Sequence, residues 1–206
     1  MIGGPDFTFE REKGWPAARI FGVDEAGRGP WAGPVTAAAI CLPMDFDLGV
    51  DDSKKLTPRK RDLLFNRLVG LPHGLGVATV GEIDRLNILQ ATHLAMHRAV
   101  AALEEKIGAP QHILVDGNRL PTWPYPAEAI IGGDAKSASI AAASILAKVS
   151  RDRDMLALDA AFPGYGWASN KGYGAKAHRD GLARLGVTPH HRRSYAPIKK
   201  LLKDQG

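Results

Sequence analysis

Two apolar runs separated by a glycine- and proline-rich loop dominate the hydrophobic pattern of the first quarter of the chain. The first run is Ile20–Val23 and the second is Val35–Leu42. Apolar runs of this length that are joined by such a loop are typical of a β-hairpin. The first run ends on two adjacent carboxylates, Asp24 and Glu25. We therefore predict a buried hairpin that presents these two acids where its first strand emerges.

The remaining pattern alternates strands with helices. Thr57 followed by Pro58 predicts a helix start, because threonine caps helices and proline favours the first helical position; this helix ends near Gly70. Short apolar runs predict further strands, and apolar residues at helical spacing predict further helices. We expect strands at 74–80, 112–115 and 129–131, and helices at 84–107, 135–162 and 175–185. This order predicts an α/β domain with a mixed sheet.

Composition narrows the class of protein. The 206 residues are 45% hydrophobic and 24% charged, as expected of one soluble globular domain. No apolar run approaches the roughly 20 residues that span a bilayer, and the first 16 residues contain no hydrophobic signal core. The single cysteine, Cys41, excludes an internal disulfide and suits a reducing compartment. We expect a cytoplasmic protein without a membrane partner.

Charge is distributed unevenly along the chain. The formal net charge is +5, and residues 148–206 hold 12 Lys and Arg against five Asp and Glu. A basic C-terminal third on a near-neutral body indicates a polyanionic partner such as nucleic acid. A solvated basic surface that only keeps the protein soluble is the alternative, and charge alone leaves both open.

Three predicted strand-to-loop junctions each carry acid beside glycine. They contain Asp24 with Glu25, Asp116, and Asp134. Ligands collect at strand ends in open α/β sheets, so we expect the junctions to converge. Converging carboxylates raise each other's pKa unless a cation neutralises them. Hard oxygen ligands favour Mg²⁺ or Mn²⁺, whereas scattered histidines and one cysteine make a poor zinc site.

Each acid also has a structural alternative. Asp116 could be a turn residue before Gly117, and Asp134 could cap the following helix. Neighbouring residues of a regular strand point to opposite faces, so Asp24 and Glu25 cannot both reach one metal without an adjustment. Either the strand distorts at Glu25, or one of the two residues contributes its backbone carbonyl. We expect Asp24 to bridge the metals and Glu25 to bind at the margin.

The loop Gly27-Arg28-Gly29 follows the acids directly. Its glycines allow the backbone to approach a ligand closely, although a tight hairpin turn would use them equally well. The loop lacks the Gly-Lys-Ser/Thr ending of a phosphate-binding P-loop. Backbone donors and acceptors are well suited to a ribose 2′-hydroxyl, which both donates and accepts hydrogen bonds.

The chain resembles a known family, ribonuclease HII, the type 2 branch of the ribonuclease H family. The similarity spans roughly residues 20–197 and is specific because its motifs occur together and in order. These motifs are Gly22–Pro30, Asp52–Leu56, Glu82–Ile88, Val115–Asn118, Gly133–Val149, Asn170–Gly174 and Thr188–Tyr195. Small departures, such as Trp31 after Pro30, do not touch the acidic positions.

The resemblance implies a fold and an activity. The fold is an RNase H-like mixed five-stranded sheet flanked by helices, with a small helical C-terminal extension. The activity is hydrolysis of RNA in RNA–DNA hybrids and incision 5′ of single ribonucleotides embedded in duplex DNA. Two divalent ions, Mg²⁺ or Mn²⁺, act with substrate and leave 5′-phosphate and 3′-hydroxyl ends. The implied catalytic metal ligands are Asp24, Glu25, Asp116 and Asp134.

The resemblance also implies how substrate is bound. The Gly27-Arg28-Gly29 backbone contacts the 2′-hydroxyl, and Tyr173 stacks on the deoxyribose that follows the ribonucleotide. We further expect phosphate contacts from Lys54, Lys55 and Lys136. Non-specific grip on the nucleic-acid backbone should come from the basic end of the chain, at Arg192, Arg193, Lys199, Lys200 and Lys203.

These expectations divide the chain into three parts. Residues 1–18 form a flexible N-terminal arm, residues 19–162 the RNase H-like catalytic domain, and residues 163–206 a basic helical region that contributes to substrate binding. The short arm leaves no room for the additional N-terminal domain of the type 3 branch, and nothing indicates more than a monomer. The alternatives to a nuclease are a non-catalytic RNA- or hybrid-binding protein and, ranked last, a Mg²⁺-dependent phosphotransferase.

Overall fold

A computed structural model of the chain describes residues 4–44, 46, 49 and 57–204. Its strands are β1 Ile20–Ala26, β2 Val35–Ile40, β3 His73–Ala78, β4 His112–Asp116 and β5 Ala127–Ile130. They form one sheet in the order β3-β2-β1-β4-β5. β2 runs antiparallel to β1 and β3, whereas β1, β4 and β5 are parallel. The mixed five-stranded sheet confirms the predicted fold class.

Helices flank this sheet. They are α1 Thr8–Glu12, α2 Pro58–Leu68, α3 Val80–Leu86, α4 Ile88–Ile107, α5 Ala138–Ala161, α6 Trp167–Asn170, α7 Lys176–Leu185 and α8 Ala196–Asp204. Side chains alternate along β1, so Phe21 and Val23 join a core with α4, whereas Ile20 packs with Ile140 of α5 on the other face. No described helix has the length and apolar character needed to cross a membrane.

Small residues bring α5 very close to β1. A Cβ atom placed on Gly22 would lie 2.2 Å from the carbonyl carbon of Ser139, so only glycine fits there. The alanine- and serine-rich start of α5 supplies the matching small surface. Because Gly22 lies two residues before Asp24, this contact fixes the height of α5 over the acidic end of β1.

The predicted helix at 84–107 was wrong in one respect, because it is two helices. Thr79 and Glu82 form a reciprocal capping box that starts α3 at Val80. Asn87 then adopts φ 72° and accepts hydrogen bonds from the Leu89 and Gln90 N–H groups, which starts α4. Glycine adopts a positive φ more readily than other residues, and at Asn87 the two side-chain hydrogen bonds stabilise this backbone geometry instead.

The N-terminal segment also differs from the flexible arm that we expected. Its described residues include α1, and the Phe7 and Trp15 rings stack with centroids 4.3 Å apart. The Trp15 indole N–H donates to the Leu42 carbonyl at 3.1 Å, and Glu10 is buried. Residues 4–18 therefore pack against the catalytic body.

The C-terminal region closes over the loop of the hairpin. Trp167 and Tyr165 centre a separate apolar cluster with Ala32 of the hairpin loop and Ile198 of α8. An isolated bridge joins Ala32 to His191. The basic end of the chain is thereby placed beside the loop that follows the two acids.

Candidate active site

The sheet brings the three acidic junctions to one edge. β1 and β4 are parallel with Val23 opposite Val115, so the next residues, Asp24 and Asp116, lie side by side. β4 ends at Asp116, and β1 ends two residues after Asp24. Asp134 follows β5 in a 3-10 turn at Gly133–Ala135. Asp24 and Asp134 are only 5% and 4% exposed. Carboxylates from three neighbouring parallel strands thus line the same end of the sheet.

The neighbouring residues Asp24 and Glu25 lie on opposite faces of β1. β1 stays regular through both residues, with Asp24 opposite Ala38 and Glu25 opposite Ala37. Ala38 belongs to the core that packs on α5, and Ala37 to the core that packs on α4. Distortion of the strand at Glu25, one of the two alternatives, is therefore absent. Glu25 approaches the strand end from the α4 side, and Asp24 from the α5 side.

The acids repel one another in the metal-free protein. Burial raises the pKa of Asp24 well above its usual range, and the nearby charges of Glu25 and Asp116 raise it further. A hydrogen bond from Ser144 opposes this rise. Burial also raises the pKa of Glu25, against the stabilising charge of Arg28. An added cation would relieve this repulsion.

Protein groups currently occupy several of the acidic oxygens. Asp24 Oδ1 accepts from the Glu25 N–H at 2.7 Å, Asp116 Oδ1 accepts from the Gly133 N–H at 2.6 Å, and Glu25 Oε1 pairs with Arg28 Nη1 at 3.2 Å. Among the described residues, no three Asp, Glu, His or Cys side chains are grouped closely enough to enclose an ion as they stand. The all-oxygen donor set, its burial and its mutual repulsion suit a hard divalent cation, which the side chains would meet by rotating.

Asp134 is not the cap of α5, so that alternative is excluded. The cap is Ser137, whose hydroxyl accepts from the Ile140 N–H at 3.2 Å. The alternative for Asp116 was a local turn before Gly117, but its carboxylate accepts from the Gly133 N–H, 17 residues further along the chain. That bond ties the β4 junction to the β5 junction and so serves the site as well.

Two buried arginines hold the Gly27-Arg28-Gly29 loop. Arg192 Nη2 donates to the Gly27 carbonyl at 2.6 Å and its Nη1 to the Arg28 carbonyl at 2.9 Å. Arg151 of α5 donates from Nε to the Pro34 carbonyl at 2.9 Å. Burial, and then the like charge of Arg192, lower the pKa of Arg151 to about 10. The loop is therefore a fixed surface whose peptide planes are set by the protein interior.

This placement corrects the role expected for Arg192. Its side chain is fully buried, so it cannot grip the nucleic-acid backbone and instead holds the hairpin loop. Its neighbour Arg193 is exposed and remains available for such a contact. Lys136 is exposed and donates to the Ile131 carbonyl at 2.7 Å. Lys54 and Lys55, with the rest of the motif at 52–56, lie outside the described residues.

Tyr173 stands beside the loop at the mouth of the cleft. Half of its side chain is exposed, and a Cβ atom on Gly29 would lie 3.2 Å from its ring. The Trp31 indole packs on Gly174, where a Cβ atom would come within 2.2 Å of the ring, and the Trp31 N–H donates to the Gly172 carbonyl at 2.8 Å. Trp31 thus joins the hairpin loop to the tyrosine loop.

A buried histidine pair supports Tyr173 from below. His178 Nδ1 lies 2.9 Å from the Tyr173 carbonyl, which can only accept, so Nδ1 carries the proton. His178 Nε2 then accepts from His191 Nε2 at 3.0 Å, and His191 Nδ1 accepts from the Thr188 N–H at 2.9 Å. Burial and the neighbouring His178 lower the pKa of His191 to about 4, which keeps this chain of hydrogen bonds neutral.

These elements enclose one cleft of about 470 Å³. It contains Glu25, the Gly27–Gly29 loop, Asp134 and Tyr173. It also contains side chains that the sequence reasoning missed, namely Arg61, Ser144, Lys148 and Arg151. For Ser144 and Lys148 a signal existed, because they lie four residues apart on one helix face inside a matched motif. The others come together only through the fold.

Acids at the ends of parallel strands, beside a rigid loop in a cleft with arginine and lysine, define a metal-dependent nuclease of the ribonuclease H class. A family model described as Ribonuclease HII matches residues 21–198. The curated Ribonuclease HII of Ruegeria sp. (strain TM1040) is 53% identical over 204 residues, covering 96% of this chain and 87% of that protein.

Two solved structures share the fold of this chain. The crystal structure of ribonuclease H2 from Pyrococcus horikoshii OT3 superposes with a TM-score of 0.72 at 30% identity, covering 90% of this chain and 98% of that one. Bst-RNase HIII in complex with Mn²⁺ has a TM-score of 0.71 at 21% identity, covering 91% and 70%, and shares the fold.

The chain belongs to the ribonuclease HII family. It is a divalent-metal-dependent ribonuclease H, a hydrolase that cleaves RNA in RNA–DNA hybrids.

Proposed function

We propose that this chain also incises duplex DNA on the 5′ side of a single embedded ribonucleotide. The observation that carries the proposal is one cleft that holds Glu25, Asp134, the Gly27–Gly29 loop and Tyr173. Asp116 lines a second pocket that shares Glu25 and Arg28 with this cleft. Chemistry and ribose recognition would then lie within a few residues of each other along the chain, and the fold would place Tyr173, for junction recognition, beside them. A nuclease that requires long RNA runs would not need all three features in contact.

Four carboxylates would hold the metal ions: Asp24, Glu25, Asp116 and Asp134. Two divalent ions, Mg²⁺ or Mn²⁺, would supply an activated water and stabilisation of the departing 3′ oxygen. Asp24 is central in this set because its charge is coupled to both Glu25 and Asp116. Ser144 donates to Asp24 and orients its carboxylate. Cleavage in this way leaves a 5′-phosphate and a 3′-hydroxyl.

The Gly27-Arg28-Gly29 backbone would read the 2′-hydroxyl. Arg192 sets the direction of the Gly27 and Arg28 carbonyls, and Arg151 holds the following segment at Pro34. The loop therefore loses little conformational entropy when substrate binds. A carbonyl oxygen has two lone pairs, so the Gly27 carbonyl, which accepts one bond from Arg192, can accept a further bond from a ribose hydroxyl. The Arg28 carbonyl already accepts from both Arg192 and Tyr195. Deoxyribose lacks this donor, which gives the discrimination.

Tyr173 would test the sugar that follows the ribonucleotide. Its ring is half exposed and lies against the Gly29 end of the loop. A flat ring in this position can stack on a deoxyribose, whereas an extra 2′-hydroxyl would disturb the contact. The basic C-terminal region contributes here by positioning, through Arg192 and the histidine pair, and by direct contact through Tyr173.

Phosphate contacts would come from the cations around the cleft. Lys148 lines the cleft and pairs with Asp152 at 2.8 Å. Arg61 of α2 also lines it, and Lys136 is adjacent to the Gly133–Ala135 turn that carries Asp134. We also propose phosphate contacts from Lys54 and Lys55, on the basis of the sequence motif at 52–56. Such contacts fix register without reading sequence and make binding sensitive to salt. All of these groups come from one chain, and we propose that the monomer is active.

Matched end-labelled duplexes test the proposal: one all-DNA, one with a single ribonucleotide, and one with a fully RNA strand. With Mg²⁺ or Mn²⁺, we expect incision of the second duplex at one position, 5′ of the ribonucleotide, and no incision of the first. Tyr173→Ala should reduce the single-ribonucleotide rate more than the hybrid rate. Cleavage of the hybrid with none of the single-ribonucleotide duplex would reject the proposal, and binding without any cleavage would favour a non-catalytic hybrid-binding role.

A further inference from the structure

A buried carboxylate lies outside the segment that the family model matches. Glu10 of α1 is 1% exposed, whereas the match begins at residue 21. Burying a carboxylate is costly unless hydrogen bonds compensate. Its Oε1 accepts three: from Ser137 Oγ at 2.6 Å, from the Ser139 N–H at 2.8 Å and from Ser139 Oγ at 2.6 Å. All three donors belong to the start of α5.

One route leads from Glu10 to the turn that carries Asp134. Ser137 donates its N–H to the Gly133 carbonyl at 2.8 Å, which closes the turn. Gly133 in turn donates its N–H to Asp116 at 2.6 Å. Holding Ser137 in place therefore holds the Gly133–Ala135 turn, which carries Asp134 and donates to Asp116. Both acids are proposed metal ligands.

A second route leads from Glu10 to Asp24. Glu10 holds both the N–H and the hydroxyl of Ser139. The Ser139 backbone is the group that packs on Gly22, where no Cβ atom fits. This contact lies two residues before Asp24 on β1, so the position of Ser139 determines how α5 sits over that acid.

The surrounding segment keeps Glu10 in place. Asp6 donates its N–H to the Lys136 carbonyl at 3.2 Å and accepts from the Ala138 N–H at 2.8 Å, which brackets Ser137 on both sides. Lys13 pairs with Glu128 of β5 at 2.6 Å. The N-terminal segment is thus attached to the start of α5 and to the strand that precedes Asp134.

We propose that Glu10 is a positioning residue, which holds the start of α5 so that Asp24, Asp116 and Asp134 are arranged for metal. This inference rests on the proposed metal site. Only Oε1 of Glu10 has a partner, and Oε2 is buried without one among the described residues. Glutamine can offer the same Oε1 acceptor without the charge. Position, and not charge, is therefore the property that the metal site requires.

Mn²⁺ titration calorimetry on the full chain tests the inference, with thermal unfolding run in parallel. Glu10→Ala should weaken Mn²⁺ binding about tenfold, the lower end of the range for residues that orient metal ligands. Glu10→Gln should bind Mn²⁺ as the wild type does. Ser139→Ala, which removes one donor and keeps the helix, should weaken binding less, in the same direction. Glu12→Ala, exposed on the same short helix, is the matched control and should change nothing.

The outcomes separate the two proposals. If Mn²⁺ binding is lost in Asp134→Asn but unchanged in both Glu10→Ala and Ser139→Ala, the metal site stands and the positioning role is overturned, even if Tm falls. If Asp134→Asn binds Mn²⁺ as the wild type does, the metal site itself fails, and the positioning role fails with it. If Glu10→Ala does not fold, Ser139→Ala and Glu10→Gln decide. Hybrid KM at saturating metal should be unchanged in every folded Glu10 variant.

Discussion

Replacing Arg192 with lysine should loosen the hairpin loop without removing the positive charge. The guanidinium makes five hydrogen bonds from a fully buried position. Its acceptors are Gly33 O at 2.9 Å, Arg28 O at 2.9 Å, Tyr195 Oη at 3.0 Å, Gly27 O at 2.6 Å and Pro34 O at 3.0 Å. A lysine ammonium offers three donors from a single point, so at least two of the five bonds are lost.

The size of the effect follows from those lost bonds. Hydrogen bonds to charged groups contribute about 1.5–3 kcal/mol each, so the free energy of unfolding should fall by about 3–6 kcal/mol. This is a large fraction of the roughly 5–15 kcal/mol that stabilises a typical domain. Because two of the acceptors are the Gly27 and Arg28 carbonyls, any folded Arg192→Lys protein should also discriminate ribose from deoxyribose less well.

Urea unfolding and the ratio of single-ribonucleotide to all-DNA incision measure the two effects. Arg193→Lys is the matched control, since Arg193 is adjacent and exposed, and it should change stability by less than about 0.5 kcal/mol. An Arg192→Lys protein that unfolds within that margin of the wild type and keeps its incision ratio would refute the assignment of Arg192 as the support of the loop.

Three further predictions concern the sheet, the acids and the histidine pair. Gly22→Ala should lower the free energy of unfolding by at least about 1–3 kcal/mol through overpacking against Ser139, and it should lower activity. Gly81→Ala, at a position with open space around it, is the control and should be neutral or stabilising. Urea unfolding compares the two variants. Asp24→Asn should abolish cleavage yet raise the Tm of the metal-free protein, because it removes a buried charge that its neighbours repel; a lower Tm would contradict this. His191 takes up a proton near pH 6.5 in the unfolded state and near pH 4 in the folded state. The free energy of unfolding should therefore fall by up to about 3 kcal/mol as the pH drops from 6.5 to 4. Urea midpoints at pH 7 and pH 5 should show part of this loss, and the loss should be smaller in His191→Gln.

The strands and their acids were predictable because local pattern determines them. Apolar runs that end on carboxylate beside glycine marked β1 and β4 correctly, and parallel strands necessarily place their ends at one edge. The break at Asn87 was missed because apolar periodicity continues across it. The sequence did carry a signal for the start of α3, since Thr79 followed by Glu82 has the spacing of a capping box.

Buried polar residues were not predictable in the same way. Arginine and glutamate are rarely buried without partners, so Arg192 and Glu10 were assigned to the surface and to a flexible arm. Apart from the nearby Tyr195, the partners of Arg192 lie 158 to 165 residues away along the chain. Those of Glu10 lie 127 to 129 residues away. Only the folded chain brings those groups together, and a periodic pattern carries no trace of such contacts. The histidine pair was missed for the same reason.

Anomalous diffraction from crystals grown with Mn²⁺ tests the central claim most directly. We expect a manganese peak within bonding distance of carboxylate oxygens from Asp24 and from Asp116 or Asp134, and we expect it to vanish in Asp24→Asn crystals grown in the same way. Manganese bound only elsewhere in the wild type, or an unchanged peak in Asp24→Asn, would contradict the account of these acids as one metal centre.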